Sequence, residues 1–261
     1  MSFMDPRRFS HIRSLVFGCS LVAATAGCNK NADTATTPST AGATSFTQVF
    51  TGTLQPRASA SYAFSLGSSV PVRLTLGSLT DLNENPLSNN MTLSFGRPQG
   101  AGCGALQTVT VQAALATHLL FQPSAGTYCV GISDPGQLGA AAMFGVRITQ
   151  GDPTSTATAG TDTYSSVLFP GGFTSRSFEA SAAGIVTVVM DAISPANVAS
   201  LFAGVGFPRT DGGGCQLTRT FTASRGAQLA VPVEIGSYCV KIADPGTLTQ
   251  LTNFTIRIVH P

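Results

Sequence analysis

The sequence contains one cysteine–aspartate pattern twice. Residues 126–136 read GTYCVGISDPG, and residues 236–246 read GSYCVKIADPG. A cysteine this close to an aspartate could belong to an active site, and an aspartate carboxylate is a ligand that Ca²⁺ prefers. Which chemistry is available depends on the elements that hold these side chains.

Strand alternation assigns two faces to the repeated stretch. Alternate residues of a β-strand share a face, so Tyr128, Val130 and Ile132 lie together and Cys129 lies on the opposite side. In the second copy, the cysteine side also carries Lys241, a residue that is rarely buried without a partner. We therefore expect the tyrosine, valine and isoleucine to face a core and the cysteine to face outward.

The outward cysteines are expected to form disulfides. Cys103 and Cys215 lie in glycine-rich loops that precede Cys129 and Cys239, respectively. Four cysteines allow three pairings, and the duplication favours Cys103 with Cys129 and Cys215 with Cys239. Such bonds persist in oxidising compartments, which predicts an extracytoplasmic protein.

The repeated aspartates are expected to form turns. Asp134 and Asp244 each begin an Asp-Pro-Gly segment, in which proline presets φ and the carboxylate can accept backbone amides. Calcium binding is the weaker alternative, because no further acids cluster around either residue. Asp81 lies in a more oxygen-rich loop, DLNEN, but the second copy lacks that loop. We expect no metal and no cofactor.

No other residue pattern predicts catalysis. His11 lies in the N-terminal segment, His118 aligns with Gln228, and His260 stands next to the C-terminal residue. A nucleophile elbow, zinc-ligand spacing and a phosphate-binding loop are all missing from the sequence. We therefore predict that the protein is not an enzyme.

The charge is concentrated at the N-terminus. Arg7, Arg8 and Arg13 against Asp5 account for the formal net charge of +2, so the rest of the chain is neutral. A nucleic-acid partner would require a basic patch, and this sequence does not predict one.

Arginines recur in both copies. Arg97 aligns with Arg209 and Arg147 with Arg257. Arg147 and Arg257 alternate with apolar residues along a strand, so they are expected to face outward. Solubility and pairing with acids are the simpler interpretation. The alternative is that these four arginines contact a sugar, a peptidoglycan carboxylate or a partner protein.

The N-terminal segment resembles a lipoprotein signal. Residues 1–13 are basic and residues 14–27 are apolar, a run shorter than a membrane span requires. The sequence ATAGC at 24–28 resembles a bacterial lipobox, which predicts removal of residues 1–27 and acylation of Cys28. Cys19 lies in the apolar run and leaves with the signal, so Cys28 is the one cysteine left over when the other four are paired. Residues 28–45 form a polar tether.

The remaining chain is expected to fold as two β domains. Short alternating runs separated by glycine, proline and asparagine occupy residues 46–149 and again 164–261, with a linker at 150–163. In the alignment of the copies, Phe95 also matches Phe207. About eight strands per copy predict two tandem antiparallel β-sandwiches of the jelly-roll kind, each with one disulfide.

These features resemble bacterial pre-peptidase C-terminal domains. The resemblance rests on Tyr62-Ala63-Phe64, on the Gly-Thr-Tyr-Cys-Val strand and on the closing Phe-x-Val-x-Ile strand. It implies a secreted jelly-roll-like β-sandwich in each copy. The chain lacks the aspartate-rich segment usual in that family, and no catalytic domain accompanies the copies.

Together these patterns predict a non-catalytic lipoprotein of the bacterial cell envelope that acts as a binding or structural module. Its expected partners are a membrane, through the N-terminal lipid, and an unidentified envelope protein or glycan. Self-association into a surface layer or filament is one alternative, since low charge and small polar side chains favour edge-to-edge pairing. A carbohydrate-binding module is the other, and it would require exposed aromatic side chains.

Overall fold

The computed structural model describes residues 45–153, 158–209 and 214–261. The signal segment 1–27, the acylation site Cys28 and nearly all of the tether 28–45 lie outside the described residues. Within the described ranges, no helix is long and apolar enough to cross a membrane.

The first β-sandwich (sandwich 1) contains eight strands in two sheets. The strands are β1 Phe46–Leu54, β2 Ser59–Leu66, β3 Val72–Thr80, β4 Met91–Gln99, β5 Gly102–Val111, β6 Leu119–Phe121, β7 Gly126–Ser133 and β8 Ala142–Gln150. The sheet orders are β1-β8-β3-β6 and β2-β7-β4-β5, and all pairings are antiparallel. This interleaving of two four-stranded sheets is the jelly-roll arrangement.

The second β-sandwich (sandwich 2) repeats the same topology. Its strands are β9 Gly160–Leu168, β10 Phe173–Ala180, β11 Gly184–Ser194, β12 Ser200–Pro208, β13 Cys215–Ser224, β14 Gln228–Val233, β15 Gly236–Ala243 and β16 Thr252–His260. The sheet orders are β9-β16-β11-β14 and β10-β15-β12-β13. The predicted fold, two tandem all-β jelly-roll-like sandwiches, is confirmed.

Alternation along the strands builds each core. On β7, Tyr128, Val130 and Ile132 are all buried and belong to the core of sandwich 1. On β15, Tyr238 and its alternate neighbours do the same in sandwich 2. Leu115 of sandwich 1 is buried among the core residues of sandwich 2, so apolar packing continues from one sandwich to the other.

One disulfide lies within each sandwich, as the sequence predicts. The bonds are Cys103–Cys129 and Cys215–Cys239, with Cα–Cα separations of 5.7 Å in both. Each bond ties the start of an edge strand, β5 or β13, to the central strand two positions away in the same sheet. A disulfide with a native-like Cα separation constrains the unfolded chain without distorting the sheet.

Strand β9 begins earlier than the sequence pattern indicates. It starts at Gly160, inside the segment 150–163 that the composition assigns to a linker, and Thr161 and Thr163 pair with β16. β9 is an edge strand, and its outer side is exposed. Composition cannot separate such a strand from a linker, because threonine suits both.

The strand register also corrects the alignment of the two copies. Gly96 pairs with Cys129 on β7, and Gly206 pairs with Cys239 on β15, so these two glycines are equivalent. The next residue is Arg97 in sandwich 1 and Phe207 in sandwich 2. Arg97 is therefore the counterpart of Phe207, and the alignment of Arg97 with Arg209 is wrong in this hairpin. The extra residues of the second copy lie in the β12–β13 turn.

Candidate functional site

The two sandwiches contact each other through unlike surfaces. The outer face of sheet β1-β8-β3-β6 of sandwich 1 meets the end of sandwich 2 that carries the start of β13 and the end of β12. We call this contact the junction. At its centre, Gly77 of β3 has no room for a side chain, because a Cβ there would lie 2.7 Å from the Phe207 ring. The hydroxyl of Thr218 on β13 donates to the carbonyl of Gly77.

Arg147 is the principal cation of the junction. Its guanidinium carbon lies 4.9 Å from the ring centroid of Phe207 and 6.0 Å from that of Tyr238. Burial raises the pKa of the Tyr238 hydroxyl, and the charge of Arg147 opposes that rise. Arg147 faces outward from its own sheet as expected, but what it faces is sandwich 2. Cation–π contacts of this kind hold a charged side chain against apolar surface.

Glu84 adds an ionic contact at the edge of the junction. Its carboxylate accepts from Lys241 Nζ at 2.9 Å and from Arg209 Nη1 at 3.1 Å, both in sandwich 2. The hydrogen bond from Lys241 holds the pKa of Glu84 below its usual value; burial opposes this effect, and the charges of both cations reinforce it. Because these side chains are partly exposed, the pairs add specificity more than stability.

A second polar contact lies on the other side of Arg147. Thr117 donates its backbone N–H to Glu234 Oε1 at 3.0 Å and its hydroxyl to Glu234 Oε2 at 2.7 Å. Hydrogen bonds to a carboxylate are charge-assisted, and a pair of them fixes the orientation of the two groups. The junction therefore combines a packed aromatic centre with polar contacts on two sides.

Beside Glu84 the junction leaves a pocket of about 220 Å³. Its polar lining includes Glu84, Arg209, Gln216 and several threonines, and its apolar lining includes Phe144 and Leu217. No histidine or free cysteine is among the lining residues, and the carboxylate of Glu84 is already held by two cations. The pocket offers hydrogen-bonding groups without a nucleophile–base pair.

The histidines of the described chain are held apart in structural positions. His118 Nδ1 accepts the backbone N–H of Leu76 at 3.0 Å, and burial lowers the pKa of His118. His260 belongs to sandwich 2 and lies 3.7 Å from Asp162. A neutral histidine that accepts a backbone amide is engaged in the fold and not placed as a base toward a serine.

The Asp-Pro-Gly aspartates cap backbone amides. Asp134 accepts from the backbone N–H of Arg57 at 2.8 Å and of Gly136, Gln137 and Leu138. Burial favours the neutral form, but these donors outweigh it, so the pKa of Asp134 lies below its usual value. Asp244 makes the equivalent bonds, including one to the N–H of Gly171 at 2.7 Å.

Asp81, the third calcium candidate, is also engaged locally. Its Oδ1 accepts the backbone N–H of Asn83 and of Asn85, each at 2.8 Å, and its Oδ2 accepts the Asn85 side-chain amide at 2.9 Å. The side-chain hydrogen bond from Asn85 is the main reason that the pKa of Asp81 is lowered. Across the described ranges, no group of three histidines, cysteines or acids is placed to hold a metal ion.

The remaining candidate arginines lie away from the junction. Arg257 is on β16 and forms a bidentate pair with Asp191 at 3.0 and 3.1 Å. That hydrogen-bonded pair raises the pKa of Arg257. Arg97 lies over the ring of Tyr128, with its guanidinium carbon 5.1 Å from the centroid. Of the four arginines, the structure brings Arg147 and Arg209 to the junction and leaves the other two at separate surfaces.

An open cleft of about 320 Å³ lies beside Arg97, at the end of sandwich 1 that corresponds to the junction end of sandwich 2. We call it the end cleft. Its lining is Phe95, Arg97, Leu106, Gln107, Phe121, Gln122, Pro123 and Tyr128. The rings of Phe95 and Phe121 stack at 3.7 Å, and Leu106 is 61% exposed. The end cleft therefore presents apolar surface and one cation to solvent.

Tyr62 and Tyr164, the candidate sugar-binding aromatics, are packed against the cores. The Tyr62 ring stacks on Phe50 at 4.7 Å, and its hydroxyl donates to the carbonyl of Thr51. Tyr164 contacts Phe254 edge-on at 5.8 Å, and its hydroxyl is bonded to Thr174. Both rings are half-buried, and each contacts another aromatic ring of its own sandwich.

Sequence reasoning did not identify Glu84, Thr117 or Glu234 as contact residues. The sequence signal that could have found them is that the two copies differ at two positions in complementary ways. Glu84 lies in a loop that is longer in the first copy than in the second, and Lys241, which binds it, replaces a glycine of the first copy. Two residues that differ between the repeats in complementary ways are candidates for a contact between the repeats.

Comparisons with known sequences identify no family for this chain. No protein-family model matches the chain, and no curated protein matches it. The resemblances to a lipoprotein signal and to pre-peptidase C-terminal domains therefore have no further sequence-level support and stay predictions.

Several solved structures share a distant β-sandwich likeness. The Sulfolobus turreted icosahedral virus structure is 12% identical, with a TM-score of 0.24 over 82% of this chain and 92% of that one. The PBSX exported protein XepA is 11% identical, with a TM-score of 0.28 over 82% and 86%. A fucolectin from striped bass serum (Morone saxatilis) is 8% identical, with a TM-score of 0.25 over 81% and 85%. Scores this low carry no argument about function.

Proposed function

We propose that this protein is a non-catalytic lipoprotein of the bacterial cell envelope that presents a two-sandwich body for binding. The N-terminal segment supplies the anchor, through acylation of Cys28, and the tether 28–45 supplies reach. Two disulfides support an oxidising, extracytoplasmic compartment. A lipid anchor followed by a polar tether is suited to a globular body that acts near a membrane surface.

The observation that carries the binding role is the end cleft. It presents the exposed Leu106, with the half-buried Phe121 and Pro123, at the same end of the fold that is covered in sandwich 2. An apolar depression with a single cation at its rim suits a protein surface that combines apolar and acidic side chains. A glycan is the less suitable ligand, because the candidate tyrosines are packed against the cores.

The anchor is tested by metabolic labelling with palmitate. We expect label on the wild-type chain and none on Cys28→Ala, because the thiol is the only acceptor that the signal pattern supplies. Cys19→Ala is the matched control, since Cys19 lies within the segment that is removed, and it should label normally. Unchanged labelling of Cys28→Ala would remove the lipoprotein proposal.

The end cleft is tested by substitution of an exposed leucine. We expect Leu106→Glu to lower capture of an envelope component by immobilised residues 41–261 at least tenfold, because it places an anion in an apolar surface, a change worth about 1.4 kcal/mol or more. Leu82→Glu is the matched control, because Leu82 is 62% exposed but lies on a loop away from the cleft. Equal capture by both variants contradicts the assignment.

A further inference from the structure

Each of the two surfaces that form the junction has an equivalent on the other sandwich, and within the described residues those equivalent surfaces do not contact each other. Strand β5 holds the position in sandwich 1 that β13 holds in sandwich 2, yet six of the ten β5 residues are exposed and only two of the ten β13 residues are. The outer face of β9-β16-β11-β14, which we call the free face, corresponds to the face of sandwich 1 that forms the junction. One chain therefore carries a second version of each half of its own internal contact.

The central contact of the junction changes in a complementary way between these halves. Gly77 and Asp191 are equivalent, since each is the single bulged residue in the pairing of β3 with β8 or of β11 with β16. Phe207 and Arg97 are equivalent by the register on β15 and β7. The contact of Phe207 with Gly77 inside one chain thus corresponds to Arg97 of one chain facing Asp191 of another. The contact of the Phe207 ring with Gly77 is thus replaced by a contact between the cation Arg97 and the anion Asp191.

Both partners of each polar contact in the junction are absent from the equivalent surfaces. Gly131 stands at the position of Lys241. The loop that supplies Glu84 is shortened in the second copy. Ser124 stands at the position of Glu234, and each residue accepts the hydroxyl of the following core tyrosine through its backbone carbonyl. The charges of Lys241, Glu84 and Glu234 are therefore all absent from the second version of the contact, and the arginine that remains, Arg257, is paired with Asp191.

The remaining positions place Asp191 between two arginines. Arg257 occupies the position of Arg147, so it would stand beside Arg97 of the other chain, and its bidentate partner Asp191 offers the carboxylate that both guanidinium groups share. The ring equivalent to Tyr238 is Tyr128 in the end cleft. Leu106 replaces Thr218 on the edge strand and is exposed, and Val259 and Ile185 are exposed on strands of the free face. Apolar groups are thus present on both surfaces, and the charges are opposite where Arg97 meets Asp191.

We propose that the chain associates head to tail with a second copy of itself, the end cleft of one molecule covering the free face of the next. This inference rests on the proposed binding role of the end cleft and names its partner. Arg97 pairs with Asp191 across the contact, and Leu106 packs beside them. Because the two surfaces are unlike, the contact is heterologous and continues into an array unless the rotation between neighbours closes a ring.

Charge reversal tests the pairing. Residues 41–261 contain both sandwiches in full and form one compact unit, so sedimentation velocity can be measured on that segment over a wide concentration range. We expect the wild type to increase in mass with concentration. Arg97→Asp and Asp191→Arg should each weaken association by at least tenfold. An equal mixture of the two variants should associate again, because Asp at 97 then faces Arg at 191.

Controls separate loss of association from loss of fold. Arg176→Asp is matched in charge, and Arg176 is exposed on β10, the opposite edge of its sheet from β13, so it should associate like the wild type. Circular dichroism and thermal unfolding of each variant show that it is folded. As a second readout, Leu106→Cys and Ala192→Cys chains should cross-link when mixed and not when alone.

Two outcomes overturn the inference. One is a wild-type segment that stays monomeric at every concentration, and the other is an association that both charge reversals leave unchanged. The proposed envelope role can survive either result, because loss of palmitate label from Cys28→Ala and cleft-dependent capture of a different envelope protein would still support it.

Discussion

Phe207→Ala is expected to lower the free energy of unfolding by about 3–5 kcal/mol, the usual cost of removing a buried phenylalanine. The ring is 7% exposed and has contacts on both sides of the junction. It packs against Tyr238 at 5.3 Å within sandwich 2, and it fills the space over Gly77 and Arg147 in sandwich 1. Its removal therefore opens a cavity at the core of sandwich 2 and removes the apolar centre of the junction.

The informative measurement is the shape of chemical unfolding. Phe178→Ala is the matched control, because Phe178 is equally buried and stacks on Tyr238 at 5.9 Å, but its ring contacts lie within sandwich 2. Both variants should destabilise sandwich 2, and only Phe207→Ala should separate the unfolding of the two sandwiches into two transitions. A single unchanged transition in Phe207→Ala would show that the aromatic centre does not couple them.

Loss of the disulfides is the second large effect. Each closes a loop, of 26 residues for Cys103–Cys129 and 24 for Cys215–Cys239, and the chain-entropy relation gives about 3 kcal/mol for loops of this length. The paired change Cys215→Ala with Cys239→Ala should cost more than its counterpart. The reason is that both cysteines of the second bond are buried and packed with Leu217, whereas Cys103 of the first bond is only half-buried, so removal of the second bond leaves the larger cavity.

Urea unfolding of the two double variants, with and without reductant, measures these costs. Reductant should destabilise the wild type by the sum of the two effects and should leave a chain lacking all four cysteines unchanged. Each double variant should respond by the share of its remaining bond. A wild type that unfolds at the same urea concentration in both conditions would contradict the expected contribution.

The sequence was sufficient for the architecture because strand alternation and duplication are local signals. Tyr128 and Cys129 could be assigned to opposite faces from their order alone, and the duplication selected one disulfide pairing out of three. The turn role of Asp134 also followed from its neighbours, since the amides that it caps are mostly within four residues. Signals of this kind need no knowledge of distant contacts.

The junction could not be predicted in the same way. Arg147 and Arg257 occupy equivalent positions on β8 and β16. Arg147 nevertheless lies against two aromatic rings, whereas Arg257 pairs with Asp191. The difference comes from how the two sandwiches meet, which no local pattern records. The misalignment of Arg97 with Arg209 has a related cause. The segments Phe-Gly-Arg-Pro at 95–98 and Phe-Pro-Arg at 207–209 look alike, but they do not occupy equivalent positions. Between equivalent paired residues, the β12–β13 turn is two residues longer than the β4–β5 turn, and only the strand register shows the resulting offset of two positions.

The Cys103–Cys129 bond also determines what happens when the chain is cut. Strand β5, mostly exposed at the edge of its sheet, lies between the two bonded cysteines, as do β6 and the loops around it. A protease that cleaves one peptide bond between residues 104 and 128 therefore leaves two fragments joined through sulfur. A molecule nicked at this edge therefore keeps all of its residues for as long as the bond stays oxidised.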